Sequence, residues 1–197
     1  MFVVAVVELD WLLSQHKERD SIESGEHLSS QVVALKQCNN VDKWIFTVSD
    51  NSNPLPQALH EEFEIRVVDD VELDPLSAFY QAAHCTRPDA ANNPLILKLK
   101  LSNRYPSPSI IDSMIENHIE QRHHYSRNQK LVSDPDHLLE IMNFDVLDEA
   151  WREAILPDDR SQVTPYIYRQ QQRLNVGYFP PVETALSPAQ RMAANSL

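Results

Sequence analysis

The sequence predicts an α/β fold in which a mostly parallel sheet is covered by helices on both faces. The first observation is that strand-like and helix-like segments alternate at least four times from the N-terminus. The second is that residues 2–7, FVVAVV, form a continuous run of apolar and mostly β-branched side chains. Such a run is typical of a strand buried on both faces. Alternation of strands and helices favours parallel strands joined by crossover helices.

The individual elements follow from the apolar spacing and from capping residues. Asp74 and Pro75 are a good N-cap and first helical residue, and Pro108 opens an amphipathic segment in the same way. Strands are predicted over residues 2–7, 43–49, 64–68, 94–101, 124–129 and 138–142. Helices are predicted over residues 27–38, 55–63, 74–84, 107–121 and 143–155. Residues 1–180 are predicted to form one domain, and residues 181–197, rich in Pro, Ala and Ser, a loosely packed tail.

Composition excludes several classes of partner. The formal net charge of −12 argues against nucleic-acid binding, which requires clustered Lys and Arg side chains. No apolar run approaches the ~20 residues that span a bilayer, and the N-terminus lacks the basic region of a signal peptide. Two distant cysteines, Cys38 and Cys85, make no disulfide framework and are expected to be buried free thiols. The sequence therefore predicts a cytoplasmic protein that binds neither nucleic acid nor membrane.

Glycine is almost absent from the chain. Only Gly25 and Gly177 occur among 197 residues, whereas there are thirteen prolines. Loops that wrap phosphate groups usually need several glycines, because the backbone N–H groups must approach the ligand closely. The sequence therefore predicts no glycine-rich phosphate-binding loop.

Five segments together carry a resemblance to a known family. They are LDPLSAFYQAA (73–83), LILKLKLSNRYPSPSIIDSMI (95–115), YSRN (125–128), PDHLLEIMNFDVLDEAWREA (135–154) and DRSQVTPYIY (159–168). In order and spacing the chain resembles cytidylyltransferase-like proteins of surface-polysaccharide and sialic-acid-type sugar biosynthesis, most closely the spore coat polysaccharide branch. The resemblance implies a Rossmann-like three-layer nucleotidyltransferase fold of the glycosyltransferase-A type. It also implies a reaction of CTP with a sugar acid that releases pyrophosphate and uses Mg²⁺.

The first family motif is largely missing. After the first strand the family carries R-x-G-S-x-R-L-P-G-K, which wraps the triphosphate. An ungapped register lays this motif on residues 8–17, where Lys17 matches but Glu8 and Leu13 stand at the arginine positions and Asp10 at a glycine position. Two carboxylates would repel a triphosphate. Nucleotide binding in the family manner is therefore not expected.

The other family motifs are also altered at the positions that meet ligand or metal. The family motif R-[IV]-T-x-D becomes KLKLS, which places Lys98 on the arginine and Ser102, followed by Asn103, on the metal-binding aspartate. Neither Ser nor Asn brings the negative charge that Mg²⁺ prefers. The later P-D-G motif becomes PDHLLE, which keeps Asp136 and Glu140. Finally R-E-H-V-T-P-Y becomes RSQVTPY, which keeps Arg160 but puts Ser161 and Gln162 in place of the ionisable pair.

Three functional hypotheses remain open. The first is a degenerate, non-catalytic binding or regulatory protein associated with surface-glycan synthesis, without cofactor or metal, which forms a homodimer or pairs with an active relative. The second is an active, Mg²⁺-dependent nucleotidyltransferase with a rearranged site built from Lys17, Lys98, Asp136 and Glu140. The third is a module that binds a sugar or a small acid. For the ligand-binding hypotheses the candidate contacts are Lys17, Ser102, Asn103, Arg160 and Gln162.

Two further features are weighed against simpler interpretations. The adjacent histidines His123 and His124 are not expected to bind one metal ion, because neighbouring side chains on a strand point to opposite faces. Tyr166 and Tyr168, two residues apart on a helix, face different directions, so at most one of them lines a cleft. Packing against the sheet is the expectation for these tyrosines.

Overall fold

A computed structural model describes residues 1–8, 32–48, 63–68, 74–85, 93–100, 106–128 and 139–179. Seven strands form one sheet in the order β3-β2-β1-β4-β6-β5-β7. The strands are β1 (Val3–Glu8), β2 (Lys43–Val48), β3 (Glu64–Val67), β4 (Leu95–Lys100), β5 (Tyr125–Asn128), β6 (Leu139–Asn143) and β7 (Val176–Phe179). The helices are α1 (Pro75–His84), α2 (Pro108–Glu120), α3 (Phe144–Glu153), α4 (Pro157–Arg160) and α5 (Pro165–Arg169). The predicted α/β fold with a mostly parallel sheet is confirmed.

Strand direction defines one edge of the sheet at which a ligand is expected. All neighbouring strands pair in parallel except β6, which is antiparallel to both β4 and β5. Six strands therefore end at the same edge, called here the carboxyl edge, and β6 begins there. Glu8 at the end of β1 pairs with Thr47 and Lys100, and Leu99 pairs with Leu139. In open α/β sheets ligands bind outside this edge.

The two faces of the sheet bury separate cores. Successive side chains of a strand point to opposite faces, so Val4 and Val6 of β1 face one way, whereas Val3, Ala5 and Val7 face the other. The face of Val4 and Val6, called the α1 face, is covered by α1, α3 and α5. The opposite face, called the α2 face, is covered by α2 and by the helical residues 32–35. Helices on both faces are what the sequence predicted.

Most predicted elements agree with the structure to within one or two residues. Asp74 caps α1 as expected, and its carboxylate accepts from the Ser77 amide at 2.9 Å. The short strand β7 was not predicted, because a four-residue segment with a central glycine gives no clear strand pattern. The predicted helix over residues 55–63 lies almost wholly outside the described residues. The tail after Pro180 and the start of the helix over residues 27–38 lie outside them entirely.

The expectation that both cysteines are buried is wrong for one of them. Cys38 is buried and Cys85 is exposed, and both are free thiols. Cys85 is the C-cap residue of α1 and directly follows its last residue, His84. Burial and the charge of Asp112 raise the pKa of the Cys38 thiol to about 12. Across the described residues, none of the helices has the length and apolar character needed to cross a membrane.

A buried histidine links α2 to the sheet on the α2 face. His118 Nδ1 lies 2.7 Å from Ser126 Oγ, and Nε2 lies 3.2 Å from Asn143 Oδ1. Because the Asn143 oxygen only accepts, Nε2 carries the proton of the neutral ring and Nδ1 accepts from Ser126. Burial lowers the pKa of His118 to about 4, and the nearby His123 and His124 act in the same direction.

Candidate active site at the carboxyl edge

Four charged side chains on neighbouring strands line the α1 face near the carboxyl edge. Glu8 lies on β1, Lys98 on β4, Glu140 on β6 and Arg127 on β5, and these strands are adjacent in this order. Lys98 pairs in register with Glu140, and Glu140 with Arg127. We call these four residues the charged row. Lys98 and Glu140, both candidates from the sequence, are thus brought together by the fold.

Lys98 is held by two carboxylates. Its Nζ lies 3.1 Å from Glu140 Oε2 and 3.9 Å from Glu8 Oε2. The side chains of Lys98 and Glu140 are only 13% and 1% exposed, whereas that of Glu8 is 30% exposed. Burial alone would lower the pKa of Lys98, but the charges of Glu8 and Glu140 outweigh it and raise the pKa above its usual value. Lys98 is therefore a cation whose charge is already balanced within the chain.

Glu140 connects the charged row to the segment before α5. Its Oε1 accepts from the hydroxyl of Tyr125 and, at 2.8 Å, from Thr164 Oγ1. Burial, together with the charge of Glu140, raises the pKa of Tyr125 well above its ordinary value. In the described part of the chain all three partners of Glu140, Lys98, Tyr125 and Thr164, are thus hydrogen-bond donors. A carboxylate satisfied in this way anchors α5 against the sheet.

Arg127 is a functional candidate that the sequence analysis missed. Its guanidinium carbon lies 4.5 Å from the centre of the Tyr168 ring and 5.8 Å from that of Tyr178. Its Nε is buried and has no hydrogen-bond partner among the described residues. None of the ion pairs among the described residues includes Arg127. The strand alternation over residues 124–129 could have placed Arg127 on the same face as Tyr125, but nothing local distinguishes it from a solvated arginine.

Arg160 has a dense set of contacts inside the chain. Its Nε and Nη2 bond to Asp74 Oδ2 at 2.8 and 2.7 Å, which ties α4 to the N-cap of α1. Its Nη1 donates to the carbonyl oxygens of Trp151 and Ala154 at 3.1 and 3.0 Å. Arg160 thus links α4 to α1 and to the end of α3. The nearby Gln162 is exposed.

The remaining candidates from the sequence lie outside the described residues. These are Lys17, Ser102, Asn103 and Asp136. Their predicted roles stay predictions.

The two tyrosines of α5 have different environments. Tyr166 is half-buried and packs against the core of the α1 face, as expected. Tyr168 is 36% exposed and stacks on Arg127. The expectation of packing is therefore confirmed for Tyr166 and wrong for Tyr168, which lines the charged row instead because its ring points toward β5.

The adjacent histidines lie in the turn before β5 rather than on the strand. Asn175 contacts both of them, through Oδ1 to His123 Nδ1 at 3.3 Å and through its amide to His124 Nδ1 at 2.8 Å. Within the described part of the chain, no three His, Cys, Asp or Glu side chains are grouped so that they could hold a metal ion.

The sheet order, the two covered faces and the charged row define a Rossmann-like α/β protein with its candidate site at the strand ends. Solved structures identify the kind of fold more closely. The chain is similar to a cytidylyltransferase of Leptospira borgpetersenii, with a TM-score of 0.65, 13% identity and coverage of 99% of this chain and 84% of that one. It is also similar to CMP:2-keto-3-deoxy-manno-octonic acid synthetase complexed with CTP, with a TM-score of 0.64, 11% identity and full coverage of both chains. A third similar structure is 4-diphosphocytidyl-2C-methyl-D-erythritol synthase of Anaerococcus prevotii, with a TM-score of 0.61, 10% identity and coverage of 99% of this chain and 97% of that one. The fold is therefore of the nucleotidyltransferase type.

Sequence comparisons give less information about this chain than the comparisons of structure do. No protein-family model matches the chain. An uncharacterised protein of Methanocaldococcus jannaschii is 26% identical over 151 residues, which cover 76% of this chain. The match spans 59% of the length of that relative.

Proposed function

We propose that this chain is a non-catalytic binding protein with a nucleotidyltransferase-type fold, and that it holds a small organic acid of the sugar-acid class. The observation that carries the proposal is the contrast between the two cations of the charged row. Lys98 is balanced by two carboxylates, whereas Arg127 has no ion pair with any described residue. The resemblance to surface-glycan biosynthesis proteins supplies the expected context.

The case against catalysis rests on charge and on glycine. A nucleotidyltransferase must bind a triphosphate of high negative charge at the carboxyl edge, and Glu8 and Glu140 bring carboxylates to that place. Gly177 lies inside β7, which leaves Gly25 as the one glycine of the sequence for any loop. Backbone groups flanked by side chains approach phosphate less closely.

The case for an acid ligand rests on the geometry of Arg127. A guanidinium stacked on tyrosine rings keeps its planar fork in one orientation and is weakly hydrated. Such a fork matches the two oxygens of a carboxylate. The phenol groups of Tyr168 and Tyr178, both partly exposed, stand beside it. The Tyr178 hydroxyl donates to Gln171 Oε1 at 3.3 Å, so its oxygen is left to accept from a ligand hydroxyl.

The binding proposal is tested by isothermal titration calorimetry with a panel of sugar acids, among them gluconate and N-acetylneuraminate. Arg127→Met should weaken binding about tenfold to a hundredfold, because a charged hydrogen-bond pair is lost. Arg127→Lys should recover only part of the affinity, since an ammonium group lacks the fork. Arg152→Met is the matched control, because Arg152 is an exposed arginine on α3. Equal affinity of wild type and Arg127→Met for every acid that binds contradicts the proposal.

A second candidate is an active Mg²⁺-dependent nucleotidyltransferase that uses Lys17, Lys98, Asp136 and Glu140. The likeness to cytidylyltransferase structures favours it. The ion pair of Lys98 with Glu140 weighs against it, because both groups are then committed to each other. Pyrophosphate release from CTP in the presence of Mg²⁺ and sugar acids, lost in Lys98→Met, would establish this candidate.

The proposal includes a protein partner, either a second copy of the chain or an active relative. It is supported only by the resemblance described from the sequence. Light scattering coupled to size-exclusion chromatography gives the mass directly. A single species with the monomer mass of 22.7 kDa over a range of concentrations contradicts the homodimer.

A further inference from the structure

We propose that Glu8 sets the charge selectivity of this site, so that it admits an acid with a single negative charge and rejects polyphosphates. The inference rests on the proposed function, because it concerns the same charged row. It assigns Glu8 a specific role. The carboxylate of Glu8 is the internal counter-ion of Lys98 and takes the place that a ligand anion would otherwise fill.

The position of Glu8 separates it from the other carboxylate of the row. Glu140 is buried and has three donors from the chain, so it belongs to the interior. Glu8 is the last residue of β1, at the carboxyl edge, and is about a third exposed. An anion that approaches Lys98 from solvent therefore meets the carboxylate of Glu8.

The charges of the row favour a monoanion. Lys98 with its two carboxylates carries a net charge of −1, and Arg127 carries +1. Lys100, which lies opposite Glu8 in the register, has an interaction partner of its own. One negative charge on the ligand balances Arg127, and every further negative charge is repelled by Glu8. Repulsion of this kind grows in proportion to the ligand charge.

The selectivity is tested with inorganic tripolyphosphate in isothermal titration calorimetry. Glu8→Gln removes the negative charge but keeps the shape of the side chain. Lys98 then keeps Glu140 at 3.1 Å but loses its second carboxylate, so an approaching anion meets one negative charge fewer. We expect the affinity for tripolyphosphate to rise by roughly tenfold or more relative to wild type. The control is Glu120→Gln, which removes the same charge from an exposed position on α2, and for it we expect no comparable rise.

A second variant tests whether Lys98 is the cation that attracts the anion in Glu8→Gln. Adding Lys98→Met to Glu8→Gln should abolish the gain in tripolyphosphate affinity, provided that circular dichroism shows the double variant to be folded. Lys98→Arg in the same background keeps the charge and should keep the gain, which makes the test independent of any misfolding caused by methionine.

The outcomes separate this inference from the proposed function. Equal tripolyphosphate affinity of wild type, Glu8→Gln and Glu120→Gln overturns the role of Glu8, while the binding of acids through Arg127 is measured independently. Tight binding of tripolyphosphate by the wild type also overturns it. If Glu8→Gln gains tripolyphosphate binding but no sugar acid binds to wild type, the proposed function fails and the role of Glu8 in excluding polyanions stands.

Discussion

The neutral His118 makes the stability of the protein sensitive to mild acid. The ring is 1% exposed, and its pKa is about 4 in the folded chain. In the unfolded chain the pKa of a histidine is about 6.5. Because the folded value is the lower one, the unfolded state takes up a proton first as the pH falls. The stabilisation is therefore fully present above pH ~6.5 and is lost progressively down to pH ~4.

The size of the effect follows from the difference between the two pKa values. A difference of about 2.5 units corresponds to about 3 kcal/mol in all. The expected loss of unfolding free energy is about 1 kcal/mol at pH 5.5 and about 2.5 kcal/mol at pH 4.5, relative to neutral pH. Carboxylates in general also take up protons near the lower end of this pH range. The unfolding free energies of the variants must therefore be compared at the same pH.

Urea unfolding of wild type and His118→Gln between pH 7.5 and 4.5 measures the effect. Glutamine keeps a donor and an acceptor for Asn143 and Ser126 but does not titrate. The variant should be less stable than wild type at pH 7.5, and the difference should shrink toward pH 4.5. His84→Gln, an exposed histidine on α1, should follow the wild-type curve. Parallel curves for wild type and His118→Gln over the whole range would refute the reasoning.

Three further substitutions, one of them in the charged row, test packing and ion pairing by urea unfolding. Gly177→Ala should destabilise the protein by about 1–3 kcal/mol, because a Cβ there would overlap the His123 ring. The additional change His123→Ala should restore part of the lost stability. No loss of stability in Gly177→Ala would contradict the close packing. Lys98→Met should lower the free energy of unfolding by about 3 kcal/mol, because Glu140 then stays buried without its cation. Replacing both residues by apolar ones should cost less stability than the sum of the two single changes. Additive costs would show that the pair is not coupled. Asp112→Ala should cost about 2 kcal/mol, since the carboxylate accepts from two consecutive backbone amides before β2; a cost near zero would mean that water replaces it.

The parallel core of the fold could be predicted because its signals are local. A continuous apolar run such as residues 2–7 indicates a buried strand, and Asp74 followed by Pro75 indicates the start of a helix. The antiparallel direction of β6 could not be predicted in this way. The direction depends on which strands become neighbours in space. The apolar pattern of residues 139–143 is compatible with a parallel as well as an antiparallel strand.

The site was predictable only in part. Lys98 and Glu140 were identified through the resemblance, but their pairing arises from the register of β4 and β6, which the sequence does not show. Arg127 was missed because its environment is made by Tyr168 and Tyr178, which lie forty or more positions further along the chain. Arg160 was predicted as a ligand contact because it is charged and part of a recognisable motif, and that role stays a prediction. Its bonds to Asp74 and to backbone carbonyls come from the packing of α4 against α1 and α3.

The most direct test of the account is a calorimetric comparison of CTP with Mg²⁺ and of sugar acids as ligands for the wild-type protein. The account predicts no measurable binding of CTP with Mg²⁺, together with binding of at least one sugar acid that is weakened in Arg127→Met and not in Arg152→Met. Binding of CTP with Mg²⁺, followed by release of pyrophosphate when a sugar acid is added, would contradict it.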